Sequence, residues 1–421
     1  MTTAQLAPYL SDVEGALHSA LNEFTEPAWL YDPVRYLFEG GGKRIRPILT
    51  LLACESVGGE RAAALPAAVA VELLHNFTLV HDDIMDSSDK RRGRDTVHVR
   101  WNQSAAILAG DVMMGMAMRL LMRSAHHAPR PLDVIDAFST GLIEVCDGQA
   151  LDLAFMDRDD VTPEEYFTMI EKKTARLLEM SVAIGANVGG ATNGRVQALR
   201  NFARLIGIAF QMQDDILDIT GSEAFGKSPG GDIVEGKRTW LMLECARRVR
   251  EDLDARPEHT ALIATFFADN GLGREHVTDV ISMMDAYGVT QDATALVEKF
   301  TNDAFEHLHH VPESPARDLL EVLAKMLMAR SVWTPLPPPP PPGGPPSPPP
   351  PPGPPPPPPP PPFLPPPPRL PPPPPFRGRF FSRPPPLLPS PGRDRRVTGL
   401  RGYGVTGLRF STIVQLIEVE I

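Results

Sequence analysis

The 421-residue chain is poor in cysteine, and its cysteines do not form a disulfide pattern. Cys54, Cys146 and Cys245 lie far apart, each within an apolar stretch of helical spacing. Proteins that depend on disulfides carry a dense cysteine framework and are secreted. We therefore expect buried thiols in a reducing compartment and no structural disulfide.

The chain also lacks a basic leader and a long apolar run. Its first ten residues, MTTAQLAPYL, contain no basic region followed by an apolar core, and no uncharged apolar stretch approaches the roughly 20 residues that cross a bilayer. These absences predict a cytoplasmic protein that is not an integral membrane protein.

Positive charge is scarce in most of the chain. The first 333 residues hold 32 basic and 49 acidic side chains, a net charge of −17, whereas the remainder carries +6. Sequence-independent binding to nucleic acid needs a positive surface that displaces counterions from phosphates. The charge balance therefore argues against nucleic acid as a partner, and any phosphate must be bound by a local basic cluster or a metal.

Proline divides the chain into two kinds of polymer. Only 12 of the 49 prolines precede residue 335, and 37 lie between Pro335 and Pro391. Because proline fixes φ and has no amide hydrogen, residues 334–396 are expected to be an extended or disordered segment. Residues 397–421 form a short tail in which VTGLR occurs twice. A polyproline ligand for an aromatic-lined groove and a frame-shifted GC-rich coding sequence are alternatives to the favoured interpretation, an inert spacer.

The body, residues 1–333, has the periodicity of an all-α protein. Apolar residues recur at intervals of three and four, as in Val71, Leu74 and Phe77, and alternating β-branched runs are scarce. Composition leaves open whether the helices form one large domain or two smaller ones. Glycines and prolines predict helix ends at 40–42, near Gly93, at 129–131, at Pro163, at 189–194 and from 221 to 236.

The pattern Asp-Asp-x-x-Asp occurs twice within apolar helical sequence, in LVHDDIMD and FQMQDDILD. Like charges one helical turn apart repel, so three aspartates in each segment need compensation. A solvated acidic face explains one such cluster, but two copies among apolar neighbours favour a bound cation. Carboxylates without a nearby cysteine suit Mg²⁺, which shares its coordination with substrate phosphates and water. The residues concerned are Asp82, Asp83, Asp86, Asp214, Asp215 and Asp218.

Basic side chains accompany both aspartate segments. Arg91 and Arg92 follow the first segment, and Lys227 and Lys237 follow the second. If a metal bound there is shared with phosphates, these cations are where a diphosphate needs them. The arrangement predicts a diphosphate site beside the carboxylates.

A separate basic cluster lies in GGGKRIRP, residues 40–47. It opens a predicted helix with Lys43 and Arg46 on one face, which makes a second anion site independent of the carboxylates. The segment lacks the Walker spacing, so it is not a nucleotide-binding P-loop.

From about Tyr31 to Arg330 these motifs resemble the trans-isoprenyl diphosphate synthases of the polyprenyl synthetase family. The resemblance implies a single large α-helical domain around a central cavity, of the isoprenoid synthase type, in a protein that is usually a homodimer. It assigns Lys43, Arg46, His75 and Arg92 to the diphosphate of isopentenyl diphosphate. It assigns Asp82, Asp86 and Asp214 as metal ligands and matches Arg91, as a substrate-binding residue, to the first aspartate motif. It places Lys173, Thr174, Gln211, Lys227 and Lys237 with the allylic diphosphate.

The resemblance also implies the reaction. Mg²⁺, as three ions shared with the allylic diphosphate, would promote ionisation to an allylic cation, with the six aspartates and Lys173 as the catalytic group. The double bond of isopentenyl diphosphate would then attack that cation in a head-to-tail condensation. An apolar cavity is needed to hold the chain and exclude water, which otherwise quenches the cation.

Product length is indicated by the residues before the first aspartate segment. In the family, bulk at the fifth and fourth positions before it limits chain growth, and here those positions hold Phe77 and Thr78. One aromatic and one small residue resemble the geranylgeranyl diphosphate type, with farnesyl diphosphate as the alternative. On an ideal helix Thr78 lies below Asp82, whereas Phe77 lies well round the helix, so ordinary core packing is its other possible role.

Two further readings are weaker. A class I terpene cyclase would also ionise a prenyl diphosphate, but it would not need Lys43, Arg46 and His75 as a second diphosphate site. A non-catalytic partner subunit, or a scaffold acting through its polyproline tail, would be favoured by the loss of one aspartate segment, and both segments are intact.

Overall fold

The computed structural model describes residues 3–221 and 229–329, and every structural statement below refers to these residues. Lys227 and the two predicted tail segments, 334–396 and 397–421, lie outside them. The first half comprises α1 (Ala7–Asn22), α2 (Ala28–Glu39), α3 (Ile45–Ser56), α4 (Arg61–Met85), α5 (Val97–Arg100), α6 (Gln103–Ala125), α7 (Pro131–Phe155) and α8 (Pro163–Ile170). The second half comprises α9 (Arg176–Val188), α10 (Asn193–Thr220), α11 (Gly231–Val234), α12 (Trp240–Glu251), α13 (Pro257–Ala268), α14 (Val277–Ala286), α15 (Val289–Leu308) and α16 (Pro315–Ala329).

The all-α prediction is confirmed, and the predicted helix ends are found where glycine and proline indicated them. Helix α7 begins at Pro131 and α8 at Pro163, because proline is tolerated in the first turn, where no intrahelical bond is lost. Thr162 and Glu165 form a capping box that fixes the start of α8. Short 3₁₀ turns, Thr3–Leu6 and Arg274–His276, complete the helical elements.

One short hairpin interrupts the helices and was not predicted. Strands β1 (Lys90–Arg91) and β2 (Arg94–Asp95) pair antiparallel across a turn in which Arg92 (φ 53°) and Gly93 (φ 76°) both have positive φ. Positive φ at both central residues is the geometry of the tight turn that matches the twist of antiparallel strands. The hairpin therefore sets the position of the two arginines that follow the first aspartate segment.

Two apolar clusters share α10 as a common helix. The larger is built from α1 to α4, α6, α7, α9 and α16, and contains the first half of α10, including Leu199 and Ile206. The smaller is built from α8 and α12 to α15 around the second half of α10, including Ile208 and Ile219. Because one 28-residue helix contributes to both clusters, the second aspartate segment lies on a well-packed support.

Helix α9 lies between the two helices that carry the aspartate segments, since it packs against both α4 and α10. It is preceded by a π-helical turn, Glu171–Ala175. π-Helical turns inside α-helices are rare and frequently occur at functional sites. Lys173 and Thr174 are therefore presented between the two aspartate helices.

Two described helices, α4 and α6, are long and apolar enough to cross a membrane by length and composition. They pack against each other, and 61% of the apolar window of α4 and 50% of that of α6 are buried within the protein. Burial of this extent is what core helices of a water-soluble fold require, so their composition is weak evidence for a membrane span.

The close packing of α9 on α3 predicts that replacing Gly185 destabilises the protein. A Cβ atom at Gly185 of α9 would lie 2.0 Å from the carbonyl oxygen of Thr50 on α3. We expect Gly185→Ala to destabilise the protein by about 1–3 kcal/mol, because the two backbones must separate. The midpoint of urea unfolding measures this change.

Gly115→Ala on α6 is the matched control, since nothing lies within 4 Å of a Cβ atom there. It should stabilise the protein by about 0.4–1 kcal/mol through reduced backbone freedom in the unfolded chain. Equal unfolding midpoints for the two variants would contradict the packing of α3 on α9.

Candidate active site

The first aspartate segment lies at the end of α4. Asp83 is buried, and its Oδ1 atom lies 2.8 Å from Arg91 Nε and from Arg91 Nη2. Asp82 lines an apolar cavity, and burial raises its pKa to about 6 although Lys173 opposes the shift. Asp86 is exposed at the C-cap of α4. Carboxylates at a helix C-terminus are unfavourable to the helix dipole, so Asp82 and Asp86 gain from a cation.

The second segment lies on α10 and is held by hydrogen bonds. Asp215 is buried and accepts bonds from Tyr166 Oη at 2.5 Å and from Gln211 Nε2 at 3.0 Å. Gln211 Oε1 in turn accepts a bond from Thr174 Oγ1 at 3.0 Å. Asp218 Oδ2 accepts the backbone N–H of Asp232 at 3.0 Å. This chain of bonds joins the aspartate segment of α10 to the π-helical turn.

Carboxylates from several elements act on two lysines of the site. The carboxylate of Asp152 on α7 forms an ion pair with Lys173 Nζ. Burial alone would lower the pKa of Lys237, but the carboxylates of Asp152, Asp232 and Asp86 outweigh it and raise the pKa. Lys237 therefore lies in the combined field of carboxylates from α7, α11 and the end of α4.

An acidic pocket of about 480 Å³ contains the second segment. Lys173 and Thr174 line it, and they also line the neighbouring apolar cavity of about 370 Å³. The shared residues put the charged pocket and the apolar cavity side by side. The remaining acidic and basic residues of the acidic pocket are Asp152, Asp214, Asp215, Asp218, Asp232, Glu235, Lys237, Arg238 and Arg274.

Two residues of the predicted second anion site, Arg46 and His75, are in contact. Arg46 Nη1 donates to His75 Nε2 at 3.1 Å, and Arg46 Nε is buried without a hydrogen-bond partner among the described residues. Desolvation lowers the pKa of Arg46 to about 10. Desolvation, with the guanidinium groups of Arg46 and Arg92, holds the pKa of His75 well below 6.5. His75 is therefore neutral at pH 7, and the cluster has an excess of cationic donors over acceptors.

The hairpin completes this cluster. Arg92 Nη1 donates to the carbonyl of Gly41 at 2.7 Å, which holds the hairpin turn against the loop before α3. A Cβ atom at Gly42 would lie 3.3 Å from Arg92 Nη1, so a glycine allows this approach. Lys43 is exposed next to it and forms no ion pair within the described parts of the chain. The loop and the hairpin turn thus place two further cationic side chains, Lys43 and Arg92, beside the Arg46 cluster.

The apolar cavity lies between α4, α7 and α9. Phe77 and Thr78 both line it, and the Phe77 ring packs edge-on against His81 at 4.7 Å between centroids. Val145 and Leu153 on α7 and Leu177 on α9 form the opposite side. Arg46 and His75 also line this cavity, so its apolar interior adjoins this cationic cluster.

Sequence reasoning missed several residues of the site. Arg44, beside Lys43, is buried in a left-handed conformation and forms 2.8 Å ion pairs with Glu14 and Glu72. It supports the loop rather than the pocket. Its positive φ had no sequence signal, because arginine rarely adopts that conformation. Asp152, Tyr166 and Asp232 were also missed, since each reaches the site only through the packing of α7, α8 and α11.

Comparison with known proteins agrees with this geometry. A geranylgeranyl diphosphate synthase from Methanosarcina mazei is 38% identical over 322 residues, covering 76% of this chain and 95% of that protein. A geranylfarnesyl diphosphate synthase from Natronomonas pharaonis is 38% identical over 323 residues, covering 73% and 91%. The crystal structure of geranylgeranyl pyrophosphate synthetase from Pyrococcus horikoshii Ot3 matches with a TM-score of 0.70 and 34% identity, covering 77% of this chain and 97% of that one.

A helical body that combines a carboxylate pocket, a cationic cluster and an apolar cavity defines a prenyltransferase. The family model described as polyprenyl synthetase matches residues 27–271. The chain belongs to the polyprenyl synthetase family.

Burial of the Asp215 carboxylate, with a second carboxylate nearby, predicts an unusual pH dependence of stability. Burial and the neighbouring Asp232 raise the pKa of Asp215 from 3.8 to about 7. Between these values the folded state binds more protons than the unfolded state, so the metal-free protein loses stability as pH rises from about 4 to 7. At pH 8 we expect Asp215→Asn to raise stability by about 1–3 kcal/mol, since each unit of pKa shift equals about 1.4 kcal/mol.

Thermal unfolding in a chelating buffer at pH 8 and pH 4 measures the effect, which should nearly vanish at the lower pH. Asp303→Asn, at an exposed position on α15, should change the melting temperature at neither pH. A melting temperature of Asp215→Asn below that of the wild type at both pH values would mean that the bonds from Tyr166 and Gln211 outweigh the repulsion.

Proposed function

We propose that the protein condenses isopentenyl diphosphate head to tail with an allylic prenyl diphosphate and that its product is geranylgeranyl diphosphate. One observation carries this proposal: the carboxylate pocket, the Arg46 cluster and the apolar cavity meet at shared lining residues. Two anion sites flanking one apolar cavity fit two diphosphates and a growing hydrocarbon. The geranylgeranyl diphosphate synthases among the relatives support the product.

The donor chemistry fits Mg²⁺, although no group of three or more Asp, Glu, His or Cys side chains in the described residues is close enough to hold a metal ion alone. Mg²⁺ binds through one or two carboxylates and completes its shell with substrate phosphates and water. Asp82, Asp86 and Asp214 would hold Mg²⁺. Three ions would be bound when the allylic diphosphate is present. Bound there, the metal would supply charge neutralisation for the departing diphosphate.

The aspartates then divide by role. Asp83 is paired with Arg91, and Asp215 is held by Tyr166 and Gln211, so these two orient their helices' ends instead of facing the metal. Asp218 accepts from the α11 backbone and fixes the loop that leads to Lys237. We assign Asp83, Asp215 and Asp218 to supporting the metal-binding carboxylates.

The cations position the substrates. Lys173, Thr174, Gln211 and Lys237 line or adjoin the acidic pocket and would bind the allylic diphosphate. Arg46, Lys43 and Arg92 would bind the diphosphate of isopentenyl diphosphate, and neutral His75 holds Arg46 in place. Arg91 acts through Asp83, and Lys227 is assigned to the allylic diphosphate from sequence alone.

The reaction needs no dedicated protein base. The allylic C–O bond breaks, and its electron pair leaves with the diphosphate. The π electrons of isopentenyl diphosphate form the new C–C bond, and a proton lost from the adjacent carbon passes to the released diphosphate, which restores a double bond. Residues of the apolar cavity exclude water while the positive charge exists.

We further infer a cytoplasmic homodimer. Ile107, Leu108 and Met122 on α6 are 41%, 43% and 52% exposed, and exposed apolar side chains on one helix are suited to a subunit interface. Cys54 and Cys245 are buried, as expected, whereas Cys146 is exposed, so its predicted burial is wrong. Three unpaired thiols suit a reducing compartment.

The test is condensation by the purified full-length chain with Mg²⁺, labelled isopentenyl diphosphate and allylic primers of five to twenty carbons. We expect a single twenty-carbon diphosphate, and no product with a chelator. The chain ended after Trp333 should retain this activity, because every proposed site residue precedes that point. Turnover lost with the tail would favour the scaffold interpretation, and cyclised hydrocarbon without condensation would favour the terpene cyclase.

Chain length supplies a second prediction. Phe77 lines the apolar cavity, so Phe77→Ala enlarges it and should shift the main product beyond twenty carbons. The product distribution, measured after removal of the diphosphate, checks this. Phe305→Ala, in a ring pair with Phe202 away from the cavity, is the control and should keep the wild-type product. An unchanged product from Phe77→Ala would assign Phe77 to core packing.

A further inference from the structure

The side-chain amide of Gln149 is buried without a partner. Its Nε2 and Oε1 atoms are both shielded from solvent, neither has a hydrogen bond among the described residues, and the residue is 7% exposed. Leaving such a group unpaired destabilises the fold relative to an apolar side chain. Because nearly all buried polar groups in native proteins are paired, an amide with both ends unpaired indicates an absent partner.

The position of Gln149 indicates what that partner is. The preceding residue, Gly148, packs on the π-helical turn so closely that a Cβ atom would lie 2.2 Å from the backbone nitrogen of Lys173. Asp152, one turn further along α7, forms an ion pair with Lys173. Gln149 is therefore close to Lys173 in the fold and lines the same apolar cavity. Lys173 also lines the acidic pocket. There the hydrocarbon of an allylic substrate would join its diphosphate.

We propose that Gln149 is a further catalytic residue, whose amide oxygen stabilises the positive charge that develops on the allylic carbons. The inference rests on the proposed condensation and names a residue that neither aspartate segment nor basic cluster includes. The C–O bond breaks with its electron pair on the diphosphate oxygen, and Gln149 forms no covalent bond.

The chemistry of an amide suits this role. An allylic hydrocarbon offers no hydrogen bond, so Gln149 gains nothing in the ground state and stabilises only the state in which charge appears. A fixed dipole in a water-poor cavity is effective, because it needs no reorganisation when the charge forms. A carboxylate at this point could combine with the cation as an ester, and a hydroxyl could be alkylated. A neutral amide avoids both losses.

A trapped water is the competing partner. Buried waters make two to four hydrogen bonds to polar groups. The cavity wall includes Val145, Leu153 and Leu177, whose side chains provide none, and also Lys173 and Thr174, whose side chains do. The melting temperature of a variant without the amide distinguishes a bound water from a substrate as the partner.

The experiment compares wild type with Gln149→Met, which keeps the length of the side chain and removes the amide. We expect kcat for condensation to fall at least about tenfold, as when one preorganised dipole is removed from a site of developing charge. The Kd of a thiolodiphosphate analogue of the allylic substrate, which does not ionise, should stay within about twofold, and the melting temperature should not decrease, since an unpaired buried group is lost. Gln197→Met, at an exposed glutamine of α10, is the matched control and should match wild type throughout.

A fluorinated allylic substrate separates a catalytic role from a structural one. Fluorine destabilises the cation, and Gln149→Met should increase the ratio of rates for the unsubstituted and fluorinated substrates. An unchanged kcat, an unchanged ratio, or weaker analogue binding in proportion to kcat would each overturn the inference. So would a lower melting temperature, the result expected for a structural water. If wild type itself forms no condensation product, the proposed function fails first, and this outcome is distinct from normal turnover by Gln149→Met.

Discussion

Carboxylate charge gathered in a partly buried place is the constraint on which this structure depends. Burial raises the pKa values of Asp82 and Asp215, so each of these carboxylates lowers the stability of the fold when it is ionised. Neighbouring groups compensate part of this cost through hydrogen bonds. Arg91 donates to Asp83, Tyr166 and Gln211 donate to Asp215, and a backbone N–H of α11 donates to Asp218. The aspartates left at the pocket are those that a metal and a diphosphate can neutralise. The carboxylates that metal binding requires therefore lower the stability of the fold until they are neutralised. The surrounding body must be stable enough to hold them in place.

The body supplies that rigidity through helices that approach closely. Gly148, Gly185 and Gly207 all lie where a Cβ atom would meet a neighbouring backbone, and two of these contacts involve the π-helical turn. One apolar cluster supports the cavity side and the other supports the acidic side, with α10 in both. Small residues in the helix interiors thus determine the distance between charges at their ends. Substitutions at these glycines, which do not contact substrate, are therefore expected to alter the geometry of the charged groups in the site.

Much of the fold and site could be predicted from sequence because the signals are local. Helical periodicity, proline at helix starts and the two aspartate segments each depend on neighbours in the chain, and the all-α prediction followed from them. Arg46 and His75 were assigned to one anion from the sequence, but the hydrogen bond between their side chains was not predicted. The Arg92–Gly93 hairpin escaped because its strands are two residues long. Asp152, Tyr166 and Gln149 escaped because their roles arise only when α7, α8 and α10 pack, and no local pattern distinguishes them from ordinary helix residues.

The π-helical turn has a consequence for how the sequence can vary. Residues 163–188 run as one continuous rod, yet Tyr166 and Ile170 before the turn face the smaller apolar cluster, whereas Leu177 and Leu178 after it face the larger. One extra residue in a helix rotates everything beyond it by about 100°. The π-helical turn thus rotates the second part of the helix relative to the first, so that one continuous helical segment packs against both apolar clusters. Deletion of one residue here would restore a regular helix and misdirect one whole face. Folding should therefore be far more sensitive to a change in the length of this segment than to substitution of Lys173 or Thr174, whose side chains are assigned to the site.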